Sequence, residues 1–152
     1  MQSIIAVKKQ PIFIVGNCNL WNKTGDRVGI NCPKKLGLTN LLVGFAFPCN
    51  PSAYFYNKSL HDLVGYYNEE EHYTMDLDFI LKVAAKVPML YFNEPWGNML
   101  IDEGTKTCST IKDGSMSVRV PKHLDLAVRS LPLYLRGWIE VKKFFIFSFV
   151  FF

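Results

Sequence analysis

The chain has 152 residues, one domain's worth or part of one, and its 49% hydrophobic and 20% charged residues exclude a disordered tail, a collagen-like repeat or a low-complexity linker. Seventeen Lys and Arg against 13 Asp and Glu give +4, and the basic residues are scattered apart from the pairs Lys8-Lys9, Lys34-Lys35 and Lys142-Lys143. That excludes a dedicated nucleic-acid surface, which needs a basic stripe on one face.

In chain order, Met1–Val7 has a short apolar piece but neither the long apolar region nor the small-residue cleavage site of a secretory signal. Pro11–Val15 has the β-branched and aromatic content of a buried strand, stopped by Gly16-Asn17, and Cys18–Trp21 is a second candidate strand. Asn22–Asp26 has turn composition before an extended Arg27–Ile30, so the first thirty residues read as a hairpin-like unit. Leu38–Gly44 predicts a short helix capped by Thr39 and ended by Gly44, and the prolines of Phe47–Pro51 keep that stretch irregular. Ser52–Tyr56 follows as a strand, and Asn57 is a candidate cap for a helix over Lys58–Val64 that Gly65 stops. Asn68–His72 reads as a polar surface loop.

The strongest helix signal covers Met75 to about Val87, capped by Thr74 and closed by Pro88, because Leu77, Ile80, Leu81, Ala84 and Val87 recur at spacings of three or four. Met89–Phe92 and Gly97–Ile101 are candidate strands, Asp102–Ser117 is a polar loop by composition, and Pro121 opens a last helix to about Arg136, bent by Pro132. The 14% aromatic content concentrates in the tail Phe144–Phe152, whose nine residues fall short of the roughly 20 a membrane-spanning helix needs. With Lys142 and Lys143 before it, the tail is read as buried or as interfacial, lysines at lipid headgroups and phenylalanines inserted.

Cys18, Cys32, Cys49 and Cys108 lie 14, 17 and 59 positions apart, without Cys-x-x-Cys or a neighbouring histidine at zinc-ligand spacing, and are read as reduced thiols of a cytoplasmic protein. No Gly-x-Ser-x-Gly, phosphate-cradling glycine loop or His-Glu-x-x-His occurs, which leaves serine-hydrolase, P-loop and zincin chemistry without support. Asp76-Leu77-Asp78 could hold a divalent cation through its carboxylates, but it opens a helix rather than ending a strand. On a helix, residues two apart point to different faces, so favourable carboxylates in a first turn are the plainer reading of this tripeptide. His72, four residues before Asp76, could meet that carboxylate if the helix began early but is read as a surface loop histidine; His61 is read as partly exposed beside an acid, and His123 has no partner in view.

The blocks Asn50–Leu60, Val64–Glu69 and His72–Leu81, in that order, resemble the second half of family-2 glycosyltransferases, with the motifs Pro-Ser-Ala-Tyr-Phe-Tyr, Gly-Tyr-Tyr-Asn-Glu and His-Tyr-Thr-Met-Asp-Leu-Asp-Phe. The resemblance extends more weakly over about residues 11 to 110. It implies an α/β fold of GT-A type, a mixed sheet with flanking helices, of which this chain resembles only the acceptor-side part (1–120), followed by a C-terminal helix and Phe-rich tail (121–152). The N-terminal nucleotide-binding half, with its strand-terminal Asp-x-Asp, is expected to be missing, since Met1–Gln10 cannot hold it.

By the same resemblance Asp76 corresponds to the general base that deprotonates an acceptor hydroxyl for inverting transfer from a nucleotide-sugar. Asn50, Tyr54, Tyr56 and Asp78 are the implied acceptor-binding residues. Met75 stands where many relatives carry Glu, and Asp102–Thr107 lacks the histidine that commonly precedes this segment. No metal ligand or cofactor is assigned to this chain, although a complete relative is expected to use Mg or Mn. The implied partners are a nucleotide-sugar and a glycan acceptor once the enzyme is complete, a complementary N-terminal half or a second copy, and a membrane surface, with no nucleic acid. The chain is expected to be inactive alone. The rival expectation is a non-catalytic interaction protein, or a degenerate remnant, with an exposed sheet edge.

Overall fold

The computed structural model describes residues 11–150 except 72, 103, 106, 107, 110 and 111, with side chains described up to residue 145. The readings of Met1–Val7 and His72, and the end of the Phe-rich tail, therefore lie outside the described residues or side chains. The elements are β1 (Phe13–Trp21), β2 (Arg27–Asn31), α1 (Leu38–Leu42), a single 3-10 turn (Pro51–Ala53), β3 (Tyr54–Tyr56), α2 (Ser59–Val64), α3 (Met75–Ala84), β4 (Met89–Leu100), α4 (Ser115–Arg129) and α5 (Leu133–Val150). This is a mixed α/β architecture, as the sequence leads one to expect at the level of class.

β1 is the centre of a four-stranded sheet. On one side it pairs antiparallel with β3 through Phe13–Val15 and with β2 through Cys18–Trp21, and on the other it runs parallel to β4 along its whole length. The β1–β2 turn holds itself together. Asn22 Oδ1 accepts from the Asp26 N–H at 2.8 Å and from Thr24 Oγ at 2.7 Å, while Thr24 Oγ also lies 2.6 Å from Asp26 Oδ2. These hydroxyl and amide partners hold the exposed Asp26 carboxyl below its ordinary range.

The pleat sends Phe13 and Val15 to one face, where they meet Tyr54 and the inner side of α3. Phe13, Leu42, Leu60, Phe79, Ile80 and Val83 are completely or almost completely buried there. Each such side chain stabilises the fold by about 1.5–3 kcal/mol through removal of apolar surface from water. The opposite face is open around Ile14, where its register partners Phe55 and Leu90 are 56% and 43% exposed, whereas farther along β1 the Trp96 ring covers Gly16 and Cys18 is buried.

Several local expectations differ from what forms. Gly16 does not stop the first strand, because β1 continues to Trp21. A Cβ at Gly16 would stand 2.5 Å from the Trp96 ring and 2.8 Å from the Glu94 carbonyl, so the glycine permits the close approach of β4 where its register shifts. Met89–Phe92 and Gly97–Ile101 likewise join into one strand.

The expected caps also find other work. α1 begins after Gly37 with no side-chain cap, Asn57 Oδ1 accepts from the Ile12 N–H at 2.8 Å, and the Thr74 side chain does not cap α3. The helix stops at Gly44 and Gly65 do hold, with φ of 92° and 83°. The expected last helix is two helices. α4 starts at Ser115, inside the stretch read as a loop, and carries Pro121 within it, while Pro132 separates α4 from α5 instead of bending one helix.

Candidate functional site

The start of α3 is set by a carboxylate upstream of it. Glu71 Oε1 accepts from the backbone N–H groups of Tyr73 at 3.1 Å and Thr74 at 3.3 Å, and the Tyr73 bond is the main reason its carboxyl lies below the ordinary range. The buried Thr74 then accepts the first helical bond, from the Asp78 N–H at 2.9 Å. Asp76 is thereby fixed in the first turn.

Asp76 lines a partly open cavity of about 390 Å³ together with Leu41, Phe45 and Phe47 after β2, Met99 near the carboxyl end of β4, and Met116, Val120 and Leu124 of α4. Thr74, Tyr73 and Cys49 are the other polar or polarisable walls. Burial pushes the Asp76 carboxyl above its ordinary value. Among the described residues, no hydrogen bond or ion pair engages its side chain.

Near Asp76 stands Tyr54, 5% exposed, with a buried hydroxyl that makes no hydrogen bond of good geometry among the described residues, although the Tyr67 hydroxyl is near enough to pull its phenol down in part. Burial first, and then the nearby Asp76 charge, push this phenol up to about 12. Tyr56 belongs to a neighbouring cluster: its hydroxyl lies 3.2 Å from that of Tyr67 and 3.3 Å from His61 Nε2, and its ring stacks on Phe13 at 5.5 Å. Asn50 caps the 3-10 turn, accepting from the Ser52 N–H at 2.9 Å, and Ser52 Oγ in turn accepts from the Asn98 N–H at 3.2 Å. Neither Asn50 nor Tyr56 lines the cavity.

Asp78 is turned elsewhere. Its carboxylate meets Lys82 Nζ at 2.6 Å and His123 Nε2 at 3.5 Å, joining α3 to α4 beside a second cavity of about 270 Å³. His123 thus has a partner that its sequence neighbourhood conceals. The two carboxylates of Asp76-Leu77-Asp78 diverge and do not present themselves to one ion, and no group of three His, Cys, Asp or Glu side chains converges among the described residues.

Of the five residues singled out by sequence, the structure brings Asp76 to the cavity wall and Tyr54 near it, and puts Asn50, Tyr56 and Asp78 in supporting contacts. The apolar wall itself carries no local signal except in α4, where Met116, Val120 and Leu124 recur every four residues. Burial, reinforced by the Cys18 thiol, pushes the Cys49 thiol up to about 12, away from the thiolate form. All four cysteines are free. No family model, curated protein or solved structure matches the chain.

Proposed function

We propose that this chain is the acceptor-side portion of an inverting glycosyltransferase, with Asp76 as general base. The observation that carries the reading is Asp76 itself: a carboxylate with no ion partner among the described residues, held above its ordinary pKa at the wall of a cavity beside the carboxyl end of a parallel strand. A raised pKa makes a carboxylate a better proton acceptor. The acceptor hydroxyl gives its proton to Asp76, its oxygen bonds to the anomeric carbon from the face opposite the leaving group, and the nucleoside diphosphate departs with the electron pair of the broken bond. The apolar walls exclude water that would otherwise compete as acceptor.

Nucleotide binding belongs, on this reading, to a second half of the sheet. The test is to read the coding DNA upstream of Met1 for a buried strand ending in Asp-x-Asp and to co-express that segment with this chain. Sugar transfer with inversion is expected from the pair and not from this chain alone, with a loss of about 10²–10⁴-fold in Asp76→Asn. Absence of such a segment, or transfer undiminished in Asp76→Asn, overturns the proposal.

A second reading, a non-catalytic interaction protein, is favoured by one observation. β4 has twelve residues and, among the described residues, pairs with β1 alone, and the sheet face around Phe55 and Leu90 is open. A sheet containing parallel strands is ordinarily covered on both faces. Sedimentation of the purified chain as a stable self-associated species, with no effect of an upstream segment, would support it.

A further inference from the structure

The last two helices depart from the rest of the molecule in charge and in what they expose. Residues 112–152 hold seven Lys and Arg against three Asp and Glu, so this segment carries the entire net charge of +4 and the first 111 residues are neutral. Within it, α5 is inverted relative to an ordinary surface helix. Among its described side chains Ile139 alone is buried, in the core of the protein, whereas Leu133, Tyr134, Trp138, Val141, Phe144 and Phe145 are 47–79% exposed.

At 100° per residue these six side chains fall within about 140° of the helix circumference, one continuous apolar face. No charged residue lies inside that arc. Lys142 stands at its margin with its ammonium 5.7 Å from the centre of the Trp138 ring, and Lys143 reaches back to Glu140 at 2.9 Å. No helix among the described residues is long and apolar enough to cross a membrane. A wide apolar arc bearing Trp, Tyr and Phe, with lysine at its edge, suits the boundary between lipid headgroups and acyl chains.

We propose that α5 binds in the plane of an anionic lipid bilayer, its Leu133–Phe145 arc inserted and the basic α4–α5 segment facing the headgroups. Charge decides between this occupant and a second copy of the chain. Face-to-face pairing of two α5 helices would bring two segments of +4 together, whereas an anionic surface attracts each Lys or Arg near it by about 1 kcal/mol. The proposal does not depend on the glycosyltransferase reading.

Flotation of the purified full chain with vesicles of phosphatidylcholine containing 30% phosphatidylglycerol tests it. Binding about tenfold stronger than to phosphatidylcholine alone is expected, weakened by salt. The triple variant Trp138→Ser, Phe144→Ser, Phe145→Ser removes exposed side chains and should lose binding about tenfold with an unchanged circular dichroism spectrum. Lys142→Glu with Lys143→Glu should erase the preference for anionic vesicles while leaving the apolar face intact. Failure to bind anionic vesicles, or undiminished binding by the triple variant, overturns the proposal. A dimer that the triple variant disperses, in a chain that ignores vesicles, assigns the face to a second copy and overturns it equally.

Discussion

The body formed by the sheet with α1–α3 and the pair α4–α5 are built on opposite principles. In the body, one short helix, α3, buries five of its ten residues: Leu77, Phe79, Ile80, Leu81 and Val83. Among the residues of α4 and α5 whose side chains are described, only Val128 and Ile139 are buried. Helix length is thus no guide to cohesion here. The body is held by packing around β1 and α3. The pair is anchored by Val128 and Ile139, by the half-buried Val120, Leu124, Ala127 and Leu131 against the core, by Arg119 over the Tyr73 ring and by the His123–Asp78 contact, while a bond from Arg136 Nε to the Leu131 carbonyl at 2.7 Å ties the linker to α5.

The largest expected effect separates the two regions most sharply. Phe79→Ala should destabilise the whole chain by about 3–5 kcal/mol, because Phe79 is fully buried among Tyr56, His61 and Tyr67 and its removal leaves a void. Ile139→Ala deletes a comparably buried residue, yet should leave the denaturation midpoint of the body nearly unchanged while accelerating amide exchange in α5. Equal losses of global stability in the two variants would break the comparison and make α5 part of the same cooperative unit.

Smaller effects sharpen it within the body. Tyr54→Phe removes a buried hydroxyl that makes no hydrogen bond of good geometry among the described residues, its nearest polar neighbour being the Tyr67 hydroxyl, and should stabilise the chain by up to about 1 kcal/mol in urea unfolding. Destabilisation would mean the hydroxyl is satisfied in solution.

Asp76→Asn should raise the melting temperature modestly at pH 7. The sign follows from the raised pKa: the folded state holds the Asp76 proton more tightly than the unfolded state, so this carboxyl costs stability as pH rises through its folded value. Below the ordinary carboxylate range the group is protonated in both states, and the advantage of the Asp76→Asn variant over the native chain should vanish. A difference that persists to low pH would assign the effect to packing instead.

What the sequence made legible follows from how local each cause is. α3 was readable because its buried residues repeat at helical spacing, and the stops at Gly44 and Gly65 because a left-handed backbone position selects glycine on the spot. Gly16 was misread because its reason is Trp96, eighty positions away in the chain and adjacent only after β4 pairs. Asn57 and Thr74 have the chemistry of caps, but a bond to Ile12 and the Glu71 carboxylate supply what those sites need. Only the start of α4 is missed, because its first turn is polar and Pro121 resembles a helix start; the rest of α4 falls within the helix expected from Pro121. At the site, the acid could be picked out by type and position. Its desolvation could not, since Phe45, Met99, Met116 and Val120 come from three separate segments.

The parallel pairing of β1 with β4 also sets a schedule for synthesis. Partners along this ladder are at least 76 positions apart, as at Phe13 and Met89, and a side-chain bond of 3.2 Å from Asn17 Nδ2 to Asn93 Oδ1 spans the same interval. At 5–20 residues per second a ribosome needs about 4–15 s to traverse that interval. Throughout it the nascent Phe13–Trp21 segment can form only its antiparallel contacts with β2 and β3, leaving its longer edge open to any extended chain in the vicinity. Early β-hairpin formation is therefore a protective step for this chain, and slowing translation after Tyr56 should lengthen the period in which a holdase chaperone can capture it.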